Sequence, residues 1–417
     1  MLTGTNLKFT KAHNVRIVLE TIRLFGPISR VAIARRSELT AQTVSNITRE
    51  LIKSGMIIEA ERLQEGRGAP TRLLKLQADG AFAIGLDLDK DHMTGVLLDF
   101  VGQVRQRISC DLHFPSPAEA IDLMEATARK LMEQEGINRE RLWGVGVGLP
   151  GPLGSTDENH VTNIVNPKEF PGWSNVPVVE ILEERLALPV HLENNATAAA
   201  VGEHWYGEGR HIGTFFYIFF GAGLGGGIIV NGQPFEGSTG NAGELGYFPT
   251  PAALEGTESV QQSHTGLHFN LPRLYQRLTE EGTPVEGPAD LLPLFEQGNE
   301  TLHTWLDEGA THLVPLLLAI EYLIDPKVVF FGGRLPDVII QSLMERLDAI
   351  LPAMRIEGKT PHPQLRCATA GSDAAALGVA TLPLYTSFAP APRLLMKQSG
   401  TDGKMHLMPS HRNTLLS

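Results

Sequence analysis

Residues 214–231 run Thr-Phe-Phe-Tyr-Ile-Phe-Phe, then Gly-Ala-Gly-Leu-Gly-Gly-Gly, then Ile-Ile-Val-Asn. Aromatic and β-branched residues in an unbroken run read as a buried strand, and a second short strand follows from Ile228. The glycines between them have two readings. Either the backbone turns tightly between packed strands, or its bare amides receive an anion such as a phosphate. Both require a sheet, and patterns of helix and strand alternate on either side of this segment in the order of an α/β protein.

The run begins near Ala81. Residues 82–89, 93–100 and 102–108 read as apolar-rich strands joined by tight polar turns, 117–134 as a helix, and 142–149 as a buried strand. Helical 178–186 precedes strand 190–192, and 196–206 is helical again. Beyond the glycines come a helix around 311–323, a strand at 328–331 ending in Gly332-Gly333, and a closing helix at about 372–384. A chain of 417 residues, 42% hydrophobic and 20% charged, holds two or three domains with ample core. Its two cysteines, Cys110 and Cys367, make neither a disulfide framework nor a four-cysteine metal site. No stretch approaches the roughly 20 apolar residues of a membrane span and no signal peptide opens the chain, so a cytoplasmic protein with no membrane partner is expected.

Charge divides the chain unevenly. Residues 1–80 carry 13 Lys+Arg against 7 Asp+Glu, a net +6, and the remainder carries 22 against 40, a net −18. A basic module on an acidic body points to a polyanion as partner of the first part. Within it, Val15, Ile17, Val18, Ile22 and Leu24 lie at helical spacing across 13–25 and Gly26-Pro27 stops them. Ser29 caps a second short helix through Val31, Ile33 and Ala34. After a turn at 37–40, residues 41–54 form a third, with Val44, Ile47 and Leu51 on one face. Gln42, Thr43, Ser45, Asn46 and Arg49 supply groups that reach base edges and phosphates. Strands at 56–60 and 71–76 flank 64–70, where Arg67 sits between glycines and suits a minor groove. The succession resembles the winged helix-turn-helix of bacterial repressors.

Further motifs carry a second resemblance: Gly146-Val-Gly148-Leu-Pro150-Gly151-Pro152, Pro171-Gly172-Trp173, Glu193-Asn194-Asn195-Ala196, the glycines 221–227, Asn241-Ala-Gly243-Glu244-Leu-Gly246, and residues 328–333. Together, and in this order, they resemble the ROK family (repressor, open reading frame, kinase) over nearly the whole chain. The resemblance implies an α/β architecture in which a winged helix-turn-helix (1–80) precedes a two-lobed, actin-like, hexokinase-type ATPase fold with a sugar in its cleft. The lobes are expected at 81–208, on the sugar-binding side, and at 209–385. A Pro-, Ser- and Lys-rich tail, 386–417, is expected as a mobile extension or an arm on a partner subunit.

Three departures from the kinase pattern bear on activity. The first phosphate turn of the kinases, Asp-x-Gly-Gly-Thr, is here Asp87-Leu88-Asp89-Lys90-Asp91, without either glycine. Asn195 stands where the kinases carry the catalytic aspartate, and an amide is a very weak base; losing a general base costs about 100- to 10,000-fold in rate. Tyr247 replaces the histidine that precedes the family's zinc-binding cysteine loop, and no cysteine lies between Cys110 and Cys367. No catalytic residue, ATP or zinc is therefore expected. His264 and His268, four apart, lack a third ligand and are not taken as a metal site.

What remains is a sugar site. By resemblance Asn194 and Glu244 hold the sugar, Gly151 lies in the loop beside it, and Asn195 and Tyr247 become contacts. Structural alternatives stay open: Asn194 as a cap on the following helix, Glu244 as a surface carboxylate, Gly151 as a turn glycine. The expected function is a sugar-responsive transcriptional regulator, a repressor, acting as a homodimer or dimer of dimers on double-stranded operator DNA, with a small sugar or sugar phosphate as effector. The alternative is an active ATP-dependent sugar kinase with a DNA-binding appendage.

Overall fold

The structure is a computed structural model and describes residues 7–63, 71–134, 137, 139–155, 162–165, 170, 172–259 and 263–388. The N-terminal elements are α1 (Leu7–Phe25), β1 (Ile28–Ser29), α2 (Arg30–Ser37), α3 (Ala41–Lys53), β2 (Ile57–Leu63) and β3 (Thr71–Leu76). Ser29 caps α2 by accepting from the Ala32 amide at 3.2 Å, and Thr40 caps α3 through the Thr43 amide at 3.1 Å. The strands form one antiparallel sheet in the order β1-β3-β2. Two residues of β1 are too few to show an alternation, which is why periodicity does not find this strand. Residues 64–70, including Arg67, lie outside the described residues.

The apolar core of this module does not close on itself. Val18, Ile22, Ile33, Val44, Leu51, Ile57 and Leu74 pack in one cluster with Ala81, Ala83, Phe100, Trp143 and Leu384 from the rest of the chain. The basic module is thus bonded to the acidic body by shared burial rather than tethered to it.

The body holds two five-stranded sheets. The first takes β4 (Phe82–Leu88), β5 (His92–Asp99), β6 (Val104–Asp111), β7 (Leu142–Leu149) and β10 (Val190–Asn194) in the order β10-β7-β4-β5-β6. A small hairpin of β8 (Leu153–Ser155) and β9 (Thr162–Val165) stands beside it, with α4 (Pro117–Gln134) and α5 (Val178–Leu186) against its outer side. The second sheet takes β11 (Phe215–Phe220), β12 (Leu224–Val230), β13 (Gln233–Pro234), β14 (Val328–Gly333) and β15 (Gln364–Cys367) in the order β13-β12-β11-β14-β15. In each, the first three strands are antiparallel neighbours and the last two join in parallel, so the same topology occurs twice. Two such α/β halves are the two lobes expected from the sequence.

Between the sheets lie α6 (Asn195–Tyr206) and the last helix. The remaining helices are α7 (Pro251–Leu254), α8 (Thr265–His268), α9 (Leu271–Glu280), α10 (Leu291–Glu296), α11 (Glu300–Leu323), α12 (Asp337–Met354) and α13 (Ala374–Phe388). α6 packs on the second sheet and α13 on the first. A Cβ on Gly85 would come within 2.1 Å of the Ala376 oxygen, and one on Gly378 within 1.8 Å of the Ala198 oxygen, so these contacts admit hydrogen only. The last helix therefore crosses back: a division of the chain at 209 follows sequence order, whereas the packing assigns α13 to the first sheet.

Glu203 fastens the far end of α6. Fully buried, its carboxylate accepts from the amides of Thr369 and Ala370, each at 2.8 Å, from the Thr369 hydroxyl at 3.1 Å and from the Gly209 amide at 3.3 Å. A buried carboxylate needs such partners to offset its lost hydration.

Candidate functional site

Five residues singled out from the sequence, Gly151, Asn194, Asn195, Glu244 and Tyr247, line one cleft between the lobes, together with Asp89, Lys90 and His264. The cavity measures about 80 Å³, and since about 10–15 Å³ by this measure holds one water, it has room for several water-sized groups. β10 and the loop after β7 bring in the first three residues, and the turn after Gly243 brings Glu244.

Asn194 has a double role. Its Oδ1 caps α6, accepting from the Ala196 amide at 2.8 Å and the Thr197 amide at 3.4 Å, while its Nδ2 donates to Glu244 Oε1 at 3.2 Å. The capping alternative is therefore realised, and only the Nδ2 side of the amide is left to face a ligand. Asn195, at the first position of α6, has no side-chain hydrogen bond within the described residues and lines the cleft. Burial pushes the Glu244 carboxyl up to about 7, so near neutrality it is poised between acceptor and donor. Gly151 must be glycine here: a Cβ would stand 2.2 Å from Glu244 Oε1 and 2.5 Å from Asn194 Nδ2. Glu193, the carboxyl nearest in sequence to Asn195, is no substitute base. Burial raises it to about 8, its Oε1 accepts from the Asn194 amide at 2.7 Å, and it is not among the cleft-lining residues.

The other end of the cleft is formed by two equivalent turns, β4 to β5 and β11 to β12. The carboxylate of Asp89, 2% exposed, accepts from the Lys90 amide at 2.8 Å and from the Ala222 amide, in the glycine turn of the opposite lobe, at 3.2 Å. Burial first and the neighbouring Asp91 second raise the Asp89 pKa, and its carboxyl group occupies an amide that the phosphate reading would reserve for a nucleotide. Beside it Asp91 receives Arg334 and His92, the latter through Nδ1 at 2.8 Å, and His92 Nε2 lies 3.5 Å from Asp87. Burial alone would lower the His92 pKa, but Asp87 and Asp91 raise it to about 9, so the imidazole is cationic at neutral pH. The lobes are therefore joined by a compact ionic cluster at this turn.

The glycine run itself divides into two parts. Gly225, Gly226 and Gly227 are strand, not loop: they belong to β12, and Cβ atoms on Gly225 and Gly227 would lie 2.7 and 2.5 Å from the methyls of Ala196 and Ala200 on α6. Only residues 221–223 turn. Close packing against α6 explains the former group, and the approach of Asp89 Oδ2, 3.0 Å from a Cβ on Gly221, explains part of the latter.

The residues around Tyr247 do not fit the family's zinc site. Tyr247, where the histidine would stand, lies ring to ring with His264 at 5.4 Å, and His264 Nδ1 is bonded to the Gly246 carbonyl at 2.7 Å. His268 turns elsewhere, to Ser263 and to the ring of His312. One phenol and one imidazole do not complete the four ligands of structural zinc. Sequence reasoning considered His264 only as a metal ligand; its place on the cleft wall comes from the Gly246 bond, which spacing does not reveal.

In the N-terminal module, α3 buries Val44, Ile47, Thr48 and Leu51 and exposes the opposite face. There Gln42 donates to Asn46 Oδ1 at 3.2 Å and Arg49 donates to the same oxygen at 3.4 Å, which aligns three polar side chains along two turns. Thr43 and Ser45 are half-buried beside them.

Residues 83–385 match the family described as ROK. The chain belongs to the ROK family. A xylose repressor of Caldicellulosiruptor bescii is 33% identical over 247 residues, 58% of this chain and 60% of that protein. The Escherichia coli DNA-binding transcriptional dual regulator NagC is 28% identical over 246 residues, 58% of each chain. The chain therefore aligns with about three fifths of the length of these curated ROK relatives. The crystal structure of a ROK transcriptional regulator, a homologue of the E. coli MLC protein, shares the fold at 19% identity. Its TM-score is 0.70, covering 93% of this chain and 99% of that one. Among the described residues no helix is long and apolar enough to cross a membrane.

Proposed function

We propose that this chain is a sugar-responsive, DNA-binding transcriptional repressor in which a kinase-type cleft recognises a small sugar or sugar phosphate and transfers no phosphate. The observation that carries the reading is the Asp89 carboxylate on the Ala222 amide. Backbone amides at such a turn favour an anion, and this one is already taken by the protein's own carboxyl group, which leaves it unavailable to a nucleotide tail. Asn195 stands at the base position with an amide in place of a carboxylate, and Tyr247 with His264 does not complete the family's zinc set.

Sugar recognition keeps what it needs. The Asn195 amide, the free side of Asn194 and the Glu244 carboxyl converge from the two lobes, and polyhydroxyl ligands are held by such mixed donors and acceptors. A sugar bridging these groups favours the closed arrangement of the lobes over the open one. Because the N-terminal winged helix-turn-helix shares its core with the body, closure reorients it. In a homodimer that changes the separation of two α3 helices in successive major grooves of a pseudo-palindromic operator.

The test is a fluorescence-anisotropy titration of the chain on genomic fragments upstream of sugar-utilisation genes, repeated with a panel of pentoses, hexoses, N-acetylated sugars and their phosphates. One sugar is expected to weaken operator binding at least tenfold; identical binding throughout the panel defeats the sensor reading. Gly223, open on the cleft wall with nothing within 4 Å of a Cβ, is the observation that favours an active kinase instead. Sustained ADP release with any panel sugar would establish that alternative.

A further inference from the structure

A second and larger cavity, about 390 Å³, lies where the N-terminal module meets the body. That size falls within the range of about 300–1,000 Å³ typical of small-molecule sites, which favour domain junctions. The sugar cleft is on the opposite end of α6: Asn195 opens that helix at the cleft, and Trp205 and Tyr206 close it on the wall of this cavity.

The lining is apolar in body and basic at the edge. Ile22 of α1, Phe100 after β5, Trp205 and Leu384 of α13 supply the apolar walls. Tyr206 satisfies its hydroxyl on Thr381 at 2.8 Å and so presents its ring rather than an unmet polar atom. Arg23 is neutralised by Glu20 through bonds of 2.8 and 2.7 Å, and its guanidinium lies 3.9 Å from the centre of the Trp205 ring, making a flat ledge. The two other cations, Lys75 of β3 and Arg210 after α6, have no ion-pair partner among the described residues. With Glu20 and Arg23 cancelling, the charged groups that line the cavity leave a net +2.

We propose that this junction cavity is a binding site for a small amphipathic anion, an apolar body bearing one acidic group, with Lys75 and Arg210 receiving the acid and the Phe100, Trp205 and Leu384 walls receiving the body. Burial of an apolar body recovers the transfer free energy of these walls, and the two cations select against a neutral analogue. An occupant touches α1 and α13 at once and so contacts both modules.

The probe is 8-anilino-1-naphthalenesulfonate, an aromatic sulfonate, titrated into the full chain by fluorescence and by calorimetry, with N-phenyl-1-naphthylamine as its uncharged counterpart. The expected result is saturable binding of one probe per chain, at least tenfold tighter than the uncharged compound, competed by decanoate and not by inorganic phosphate. A Lys75→Glu, Arg210→Glu double variant is expected to lose at least tenfold in affinity. Val101→Trp, which enters the cavity from a rim residue 44% exposed, is expected to abolish binding with the melting temperature retained. Probe binding that survives both variants, equal binding of the uncharged compound, or displacement by phosphate alone would each overturn the assignment. Because operator and sugar binding are read separately, failure here is distinguishable from failure of the repressor reading.

Discussion

Replacing Gly151 by alanine adds one methyl group to the cleft proposed to hold the sugar, and its consequence can be worked from the geometry. The new Cβ would sit 2.2 Å from Glu244 Oε1 and 2.5 Å from Asn194 Nδ2. Restoring ordinary contact requires the carboxylate to retreat by about 1 Å, a shift that breaks the 3.2 Å bond between these two side chains. Overpacking of this kind costs about 1–3 kcal/mol, and a hydrogen bond to a charged group contributes about 1.5–3 kcal/mol. Asn194 remains held by its cap on α6, so the loss falls on Glu244 and on the sugar proposed to bind there. The expected outcome is a sugar Kd weakened about 10- to 100-fold, measured by calorimetry on the full chain with the inducing sugar. Operator affinity without sugar should stay within twofold, because Gly151 lines the cleft and no residue of α3 does. A folded Gly151→Ala protein that binds the sugar as tightly as its parent refutes the assignment of Glu244 and Asn194 to the ligand.

Three further outcomes follow from the same structure. Sugar affinity should rise up to about tenfold between pH 6 and 8, as Glu244, held near 7 by burial, becomes a full acceptor. The stability contribution runs the other way: a carboxyl raised above its ordinary value favours the fold at low pH and loses that contribution as pH rises through about 7. Glu244→Gln should flatten both profiles, and a pH-independent parent would contradict the assignment. Arg49→Ala should weaken operator binding by about 1–3 kcal/mol with an unchanged melting temperature, since this side chain is exposed; unaltered affinity in a gel shift would remove α3 from the DNA. Asn195→Asp restores a carboxylate at the base position, yet a coupled assay should detect no ADP release, because Asp89 still covers the Ala222 amide. Turnover by this variant would count against that carboxylate as a block.

Much of this arrangement was legible because it is local. The Ser29 cap, the Val44, Ile47 and Leu51 stripe of α3 and the buried run of β7 each depend on residues within a few positions of one another, where spacing is direct evidence. The five cleft residues were found because ordered motifs bring remote segments together by resemblance. What escaped is non-local or nearly featureless. Asp89 stood out as an intruder in a phosphate turn, but its partner is the Ala222 amide, 133 residues away, and no periodicity encodes that pairing. The glycines at 225–227 looked like loop because glycine weakens a strand; only the approach of α6 accounts for them. The first turns of α1, at Leu7 and beyond, precede the apolar stripe that marks a helix. The return of α13 to the first sheet inverts chain order and is a matter of packing alone.

A tilt of α6 about the four-donor anchorage of Glu203 would carry its two ends on unequal arms. At about 1.5 Å per residue, Asn195 lies about 12 Å from that fulcrum on one side and Tyr206 about 4.5 Å on the other. A tilt that moves the cleft end by about 1 Å therefore moves the junction end by only about 0.4 Å, in the opposite direction and with correspondingly greater force. Such gearing suits a close-packed interior, which yields little but transmits strain well. The N-terminal module would receive a short, strong push, and any large excursion of its α3 would have to arise from its own radius about that contact.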